Sequence, residues 1–163
     1  MLKFIDLFAG IGGFHLAMHE AGARCVFSSD WNDAARETYL HNFDMRETGE
    51  PASKGDPLLA GDITKVAPES IPDHDILCGG FPCQSFSRAG HKLGFKDARG
   101  TLFFNICEIL KAKRPKAVFL ENVKDLATHD DGNTITVITD ALAELGYLPA
   151  TQRGEFVHHH RVS

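Results

Sequence analysis

The residues best able to do chemistry in this chain stand in one run, Cys78-Gly79-Gly80-Phe81-Pro82-Cys83-Gln84-Ser85-Phe86-Ser87. A short apolar stretch, Asp75-Ile76-Leu77, reads as a buried strand leading into it, and a polar, glycine-punctuated loop follows. A cysteine at the carboxyl end of such a strand sits where α/β sheets bind their ligands, and its thiolate is a strong nucleophile. The plain alternative for Cys83 is a small buried thiol beside a proline turn, the commoner fate of a single cysteine. The second chemical group is Glu121. Ala117-Val118-Phe119-Leu120 has the unbroken hydrophobicity of an interior parallel strand, which delivers Glu121 and Asn122 to the same sheet edge as Cys83. A carboxylate at the end of a buried strand is costly to desolvate, which marks it as a functional candidate.

A third stretch has ligand-binding character. Lys3-Phe4-Ile5-Asp6-Leu7-Phe8 reads as a first strand, and Ala9-Gly10-Ile11-Gly12-Gly13 as a tight turn after it. A helix follows with Phe14, Ala17, Met18 and Ala21 on one face and Gly22 beyond its end. Strand, glycine turn and helix open a nucleotide-binding α/β unit, and Gly10 and Gly12 let a ligand approach the backbone. His15 stands where the third glycine of a Gly-x-Gly-x-x-Gly pattern would be, so a tight βα turn without a ligand is the alternative. A second strand, Cys25-Val26-Phe27-Ser28-Ser29, ends at Asp30, about 20 residues after Gly10, where such units place a ribose-binding carboxylate. Trp31 can cover an adenine ring. Asp30 can equally open the helix that begins at Asn32-Asp33. Leu58 to Ile63 reads as a short edge strand, with Asp62 divided between an adenine amino contact and a turn aspartate. The turn and Asp30 together favour an adenosine-bearing cofactor. The chain lacks the Gly-x-x-x-x-Gly-Lys motif of nucleoside triphosphate sites.

The remaining elements supply the frame. Residues 44–57 read as an exposed loop. Arg88 to Gly100, with Lys92, Lys96 and Arg99 among three glycines, suits a lid over an anionic ligand. Thr101 caps a helix whose Leu102, Phe103, Ile106, Ile109 and Leu110 form a core stripe, with Cys107 as a structural thiol and Pro115 as the stop. Another helix carries Ile135, Ile138, Leu142 and Leu145 to Gly146, and Tyr147-Leu148 starts one more strand before the pattern dissolves. Alternating strands and helices predict a mostly parallel sheet with helices on both faces.

At 163 residues the chain suits one domain. No apolar run approaches the roughly 20 residues of a membrane span, and Met1-Leu2-Lys3 enters a strand without a signal peptide. The four cysteines lack zinc or thioredoxin spacing, so no metal site is expected; a reduced, cytoplasmic setting would keep a catalytic thiol free. A formal net charge of −5 argues against a stand-alone nucleic-acid binder.

The three chemical stretches resemble the motifs of the DNA (cytosine-5)-methyltransferases, above all the bacterial restriction–modification members. Asp6 to Gly13 resembles that family's S-adenosylmethionine loop, Gly80 to Ser87 its nucleophile motif, and Phe119-Leu120-Glu121-Asn122-Val123 its glutamate motif. All three stand in the family's order, and the likeness runs from Lys3 to about Tyr147. The resemblance implies a Rossmann-like fold dependent on S-adenosylmethionine, incomplete at its C-terminus. It implies that Phe8, Gly10, Ile11, Gly12, Gly13, Asp30, Trp31, Asp62, Ile63 and Pro82 line the cofactor pocket. Cys83 would add to cytosine C6, with Glu121 holding the base, while Gln84, Ser85, Ser87 and Arg99 would meet double-stranded DNA flipped open by a closing loop.

The family's pattern continues with a Gln-x-Arg-x-Arg motif, a target-recognition region and a late segment that returns to the cofactor pocket. Gln152-Arg153-Gly154 only echoes the first of these. The expected organisation is therefore a partial catalytic domain over 1–148, an irregular tail over 149–163 that contains His158-His159-His160, and no target-recognition region. The enzyme would be either truncated or split, with a second chain supplying the rest. Two other readings stay open at this point: a cofactor-binding fragment without activity, and a related enzyme that acts on transfer RNA.

Overall fold

The computed structural model describes residues 1–47, 57–82, 102–152 and 155–161. They form two compact units, Met1–Gly80 and Phe81–Ser163.

The first unit is built on five parallel strands: β1 (Lys3–Leu7), β2 (Arg24–Ser29), β3 (Arg46–Glu47), β4 (Leu58–Ala60) and β5 (Ile76–Gly80), in the order β3-β4-β2-β1-β5. β1, paired on both sides, is buried on both faces, with Phe4, Ile5 and Leu7 at 0% exposure around the one buried carboxyl, Asp6. The predicted edge strand at Leu58 is shorter and interior, because β3 pairs outside it. Helices α1 (Gly13–Glu20) and α2 (Asp33–Asn42) follow β1 and β2. Gly22 ends α1 at φ +80°, as its place beyond the helix predicts.

The buried face of α1 differs from the apolar stripe expected of it. Ala17 and Ala21 are exposed, Phe14 and Met18 are half-buried, and the residue that turns inward is His15. Hydrogen bonding explains this. His15 Nδ1 lies 2.6 Å from the Tyr39 hydroxyl of α2, which lies 2.6 Å from Ser28 Oγ of β2. The His15 ring also stacks on Phe43, with centroids 3.9 Å apart. A register irregularity in β2 brings Cys25 Sγ within 3.4 Å of the same Ser28 hydroxyl, although the two are three residues apart.

The second unit contains α3 (Leu102–Lys113), β6 (Ala117–Glu121), α4 (Asn133–Glu144), β7 (Tyr147–Gln152) and β8 (Glu155–Arg161). Phe103, Ile106, Ile109 and Leu110 are buried as the stripe in α3 predicts, and Phe104 and Cys107 join them. Ile138 and Leu142 anchor α4, while Ile135 and Leu145 are only half-buried. Tyr147, fully buried, donates its hydroxyl to the Pro115 carbonyl at 2.8 Å.

Within 149–163, where the sequence predicts an irregular tail, the described residues form strands. β7 continues through Gln152 and β8 covers Glu155–Arg161, including the three histidines. β8 pairs antiparallel with both β6 and β7, in the order β6-β8-β7. The histidine run has no apolar alternation to announce a strand, and pairing on two sides supplies what local pattern does not. The strands of this unit are therefore antiparallel, unlike those of the first.

Candidate functional site

In the first unit the parallel strands bring their carboxyl ends to one edge. The turn after β1, Asp30 and Trp31 after β2, and Gly61 to Ile63 after β4 all lie there. Phe8 leaves β1 at φ +56° and Gly10 follows at +55°, so the chain folds back sharply. The turn is tied by Ala9 N to Ser29 O at 3.0 Å and Gly12 N to Ala9 O at 2.9 Å. Gly12 caps α1 at φ +100°, and a Cβ there would lie 2.1 Å from Phe43 Cε2. At Gly10 a Cβ would meet nothing within 4 Å, so that face of the turn is open.

Asp30 holds this turn. Its Oδ2 accepts from Gly10 N and its Oδ1 from Asn32 N, each at 2.8 Å, with the residue 8% exposed. It does not open the helix, because Asn32 caps α2 by accepting from Ala35 N at 3.0 Å. Each Asp30 oxygen keeps a lone pair. Ile11 and Trp31 are 67% and 81% exposed, large apolar groups on either side of Asp30's contacts. Gly13 begins α1. Asp62 caps the short 3-10 turn Ile63–Lys65 by accepting from Thr64 N at 3.0 Å and Thr64 Oγ1 at 2.7 Å. These bonds, ahead of the nearby Lys65 charge, lower its pKa. Ile63 is buried. This edge fits an adenosine-bearing cofactor: an open glycine turn, a carboxylate with free lone pairs and an uncovered indole.

Beneath the turn lies a group that the sequence did not single out. Asp6 is fully buried, and neither oxygen has a hydrogen-bond partner among the described residues. Burial pushes its pKa up to about 7 and the Asp30 charge adds to this, while the His15 backbone N–H, close by but short of full hydrogen-bond geometry, opposes it. Burial, then the charge of His19, lowers His15 to about 4, so the imidazole is neutral. In hindsight Asp6 was visible as a lone charge in an apolar strand.

In the second unit, Glu121 ends β6 and is exposed, which removes the desolvation cost that its sequence position suggested. Its side chain makes no hydrogen bond among the described residues. Neighbouring Asn122 is half-buried and donates its Nδ2 to the Phe81 carbonyl, while its Oδ1 accepts from Val123 N at 2.9 Å. Phe81 is buried with its ring centroid 5.6 Å from that of Phe103, and Pro82 is exposed. Cys83, Gln84, Ser85, Ser87 and Arg99 lie outside the described residues.

The other three cysteines, Cys25, Cys78 and Cys107, are free and buried. Burial raises all three thiols, Cys25 to about 11 and Cys107 to about 12, so none is a thiolate near neutrality. No group of metal-ligating side chains occurs among the described residues, and no helix among them is long and apolar enough to cross a membrane.

Comparison with known proteins agrees with this arrangement. Over 146 residues the chain is 53% identical to the type II methyltransferase M.HhaI of Haemophilus parahaemolyticus, covering 90% of this chain and 41% of that protein. It is 55% identical over 145 residues to M.HaeII of Haemophilus aegyptius, covering 89% and 42%. The chain thus spans about two fifths of the length of these curated relatives. Among solved structures, a mutant of Spodoptera frugiperda DNMT2 superposes with a TM-score of 0.72 at 24% identity, covering 99% of this chain and 50% of that one. Magnesium protoporphyrin IX methyltransferase from Synechocystis, solved with bound S-adenosylmethionine, gives 0.59 at 14% identity, covering 99% and 70%. At these identities the likeness shows the fold alone, the Rossmann-like fold of S-adenosylmethionine-dependent methyltransferases. The model for C-5 cytosine-specific DNA methylases matches residues 2–152, and with the glycine turn, Asp30 and Glu121 inside that span, the chain belongs to that family.

Proposed function

We propose that this chain is the cofactor-binding and catalytic part of an enzyme that methylates C5 of cytosine in double-stranded DNA. The observation that carries this reading is the bond from Gly10 N to Asp30, which joins the glycine turn to the end of β2 inside a chain of this family. In this reading Phe8, Gly10, Ile11, Gly12 and Gly13 would hold S-adenosylmethionine. Asp30 would take the ribose, Trp31 would cover the adenine, and Asp62, Ile63 and Pro82 would complete the set of cofactor-binding residues. Asp62 retains lone-pair capacity for an amino group beyond its bonds to Thr64. The cofactor supplies the methyl group as an electrophilic sulfonium.

Cytosine C5 is too poor a nucleophile to take a methyl group unaided. Cys83 adds as the thiolate to C6, forming an S–C6 bond and making C5 enamine-like. Glu121 holds N3 and the exocyclic amine and stabilises charge as the thiolate adds. After C5 carries the methyl group, loss of the C5 proton breaks the S–C6 bond and returns the thiolate. Cys83 is favoured for this task because the other three thiols are buried and raised. The step requires a flipped base, with Gln84, Ser85, Ser87 and Arg99 against the DNA. A second polypeptide segment, on this chain or another, supplies target recognition. A reduced cytoplasmic setting keeps the thiol available.

The test is calorimetric titration with S-adenosylmethionine, followed by labelled methyl transfer to cytosine-containing duplex DNA. Cys83→Ala is expected to abolish transfer and leave cofactor affinity within about twofold, because no pocket group is removed. Full transfer by that variant would overturn the mechanism. Binding without any transfer by the parent chain would favour the reading of a cofactor-binding fragment, in line with a net charge of −5 that argues against a self-sufficient DNA enzyme.

A further inference from the structure

We infer that Asp6 makes this chain sense the charge of its cofactor, a proposal that rests on the S-adenosylmethionine reading above. Its carboxyl gives up a proton when the cationic sulfonium binds and keeps it for the uncharged thioether left after methyl transfer. Asp6 stands on β1, just ahead of Phe8 and the glycine turn, at 0% exposure. It is register-paired with Ser28 of β2 and Cys78 of β5, so the three side chains share one face of the sheet. Neither carboxyl oxygen has a hydrogen-bond partner among the described residues. An apolar residue would be less costly to bury on this strand, so packing does not account for a carboxyl there.

The surroundings of Asp6 decide its charge. The titratable groups against it are Cys25 on β2 and Asp30 after it, Cys78 on β5, His15 on α1 and Tyr39 on α2. Burial keeps both thiols and the Tyr39 phenol neutral and lowers His15 to about 4, so none of these is charged near neutrality. Exposed His19 lies beside His15, with ring centroids 6.5 Å apart. Among the described residues, the charge that acts on Asp6 is that of Asp30, another anion. A buried carboxyl without a countercharge keeps its proton. A cofactor held by the turn after β1 brings that countercharge. In S-adenosylmethionine the ammonium and carboxylate cancel, which leaves the sulfonium as a net positive charge. In S-adenosylhomocysteine that charge is gone. Ionised Asp6 therefore stabilises the first ligand and not the second, and the His15 backbone N–H favours the ionised form. The proton passes to solvent.

Calorimetric titration of the 163-residue chain with each ligand, in buffers of different ionisation enthalpy, counts the protons released. Asp6→Asn keeps the shape and removes the titration. At about pH 8 the preference for S-adenosylmethionine over S-adenosylhomocysteine is expected to be roughly 10-fold greater in the parent than in this variant. That factor corresponds to about one pKa unit between free and bound Asp6. With the free carboxyl titrating at about 7, S-adenosylmethionine should release about half a proton more from the parent than from the variant near about pH 6.5. The extra preference should shrink to about twofold at about pH 6, where Asp6 is largely protonated with either ligand. Equal proton counts for parent and Asp6→Asn would overturn the inference. So would a variant that loses affinity for both ligands alike, because Asp6 would then be holding the turn in shape. A parent chain that binds neither ligand would instead sink the cofactor reading and take this inference with it.

Discussion

The glycine turn of the first unit and the end of β6 in the second are both ligand-facing candidates, and they are built in opposite ways. At the turn, Asp30 is buried with both oxygens accepting backbone N–H groups, and the chain is locked from below by the His15–Tyr39–Ser28 bonds. At the end of β6, Glu121 is exposed and without a hydrogen-bond partner among the described residues. Preorganisation explains the first, because a pocket fixed in advance loses little conformational freedom when its ligand arrives. The second has a different economy, since catalytic hydrogen bonds are often completed only when substrate is present. The contrast predicts that variants at the turn act through stability and binding together, and that variants at the strand end act on rate alone.

The largest separation should come from Glu121→Gln. Removing a group that stabilises developing charge typically costs on the order of 100-fold in rate. The exposed position implies a stability change within about 0.5 kcal/mol. Methyl transfer beside a urea melt checks both, and a variant with unchanged turnover would remove Glu121 from its role. Gly12→Ala tests the other side of the comparison. The new Cβ would collide with Phe43, whose ring cannot easily leave its stack on His15, and φ +100° disfavours any side chain. The loss of stability should be about 2–4 kcal/mol from backbone strain and overpacking, with cofactor affinity falling alongside. A stable Gly12→Ala chain with parental affinity would show that the turn is not locked. Tyr39→Phe is milder. It leaves Ser28 Oγ and His15 Nδ1 without their shared partner, at a cost of about 2 kcal/mol read from the shift in denaturant midpoint.

The same contrast explains what the sequence makes legible. The parallel strands of the first unit announce themselves, because β1 is buried on both faces and, Asp6 apart, apolar along its buried length. Gly10, Gly12 and Asp30 are legible too, since the turn demands residue types that little else explains. His15 is not. Its helical position carries no sign that a hydroxyl 24 residues away will accept or donate at 2.6 Å. Asn122 is hidden for the same reason, its partner lying in a distant turn. β8 escapes because a histidine run becomes a strand only through its two neighbours. Short-range backbone requirements leave a mark in composition, whereas long-range polar bonds leave none.

The smallest expected effect in the parent chain is the net pH dependence from Asp6 and His15, whose titrations oppose each other under the turn. Folded Asp6 holds a proton up to about pH 7, which the unfolded chain releases at the ordinary carboxylate value. Across that window the folded state binds more protons, so Asp6 makes stability fall as pH rises. His15 does the reverse. The unfolded chain protonates its imidazole in the ordinary range, while the folded site resists until about pH 4, so stability rises with pH over that span. The two windows overlap, and the parent chain should show a shallow pH dependence from this pair. Asp6→Asn removes the falling contribution, so the stability of the variant minus that of the parent should climb as pH rises towards 7. His15→Gln removes the rising one, and its difference curve should fall over the same interval. Denaturant midpoints collected every half unit would read both slopes. Parallel difference curves would mean that the two groups do not titrate as the burial beneath the turn requires.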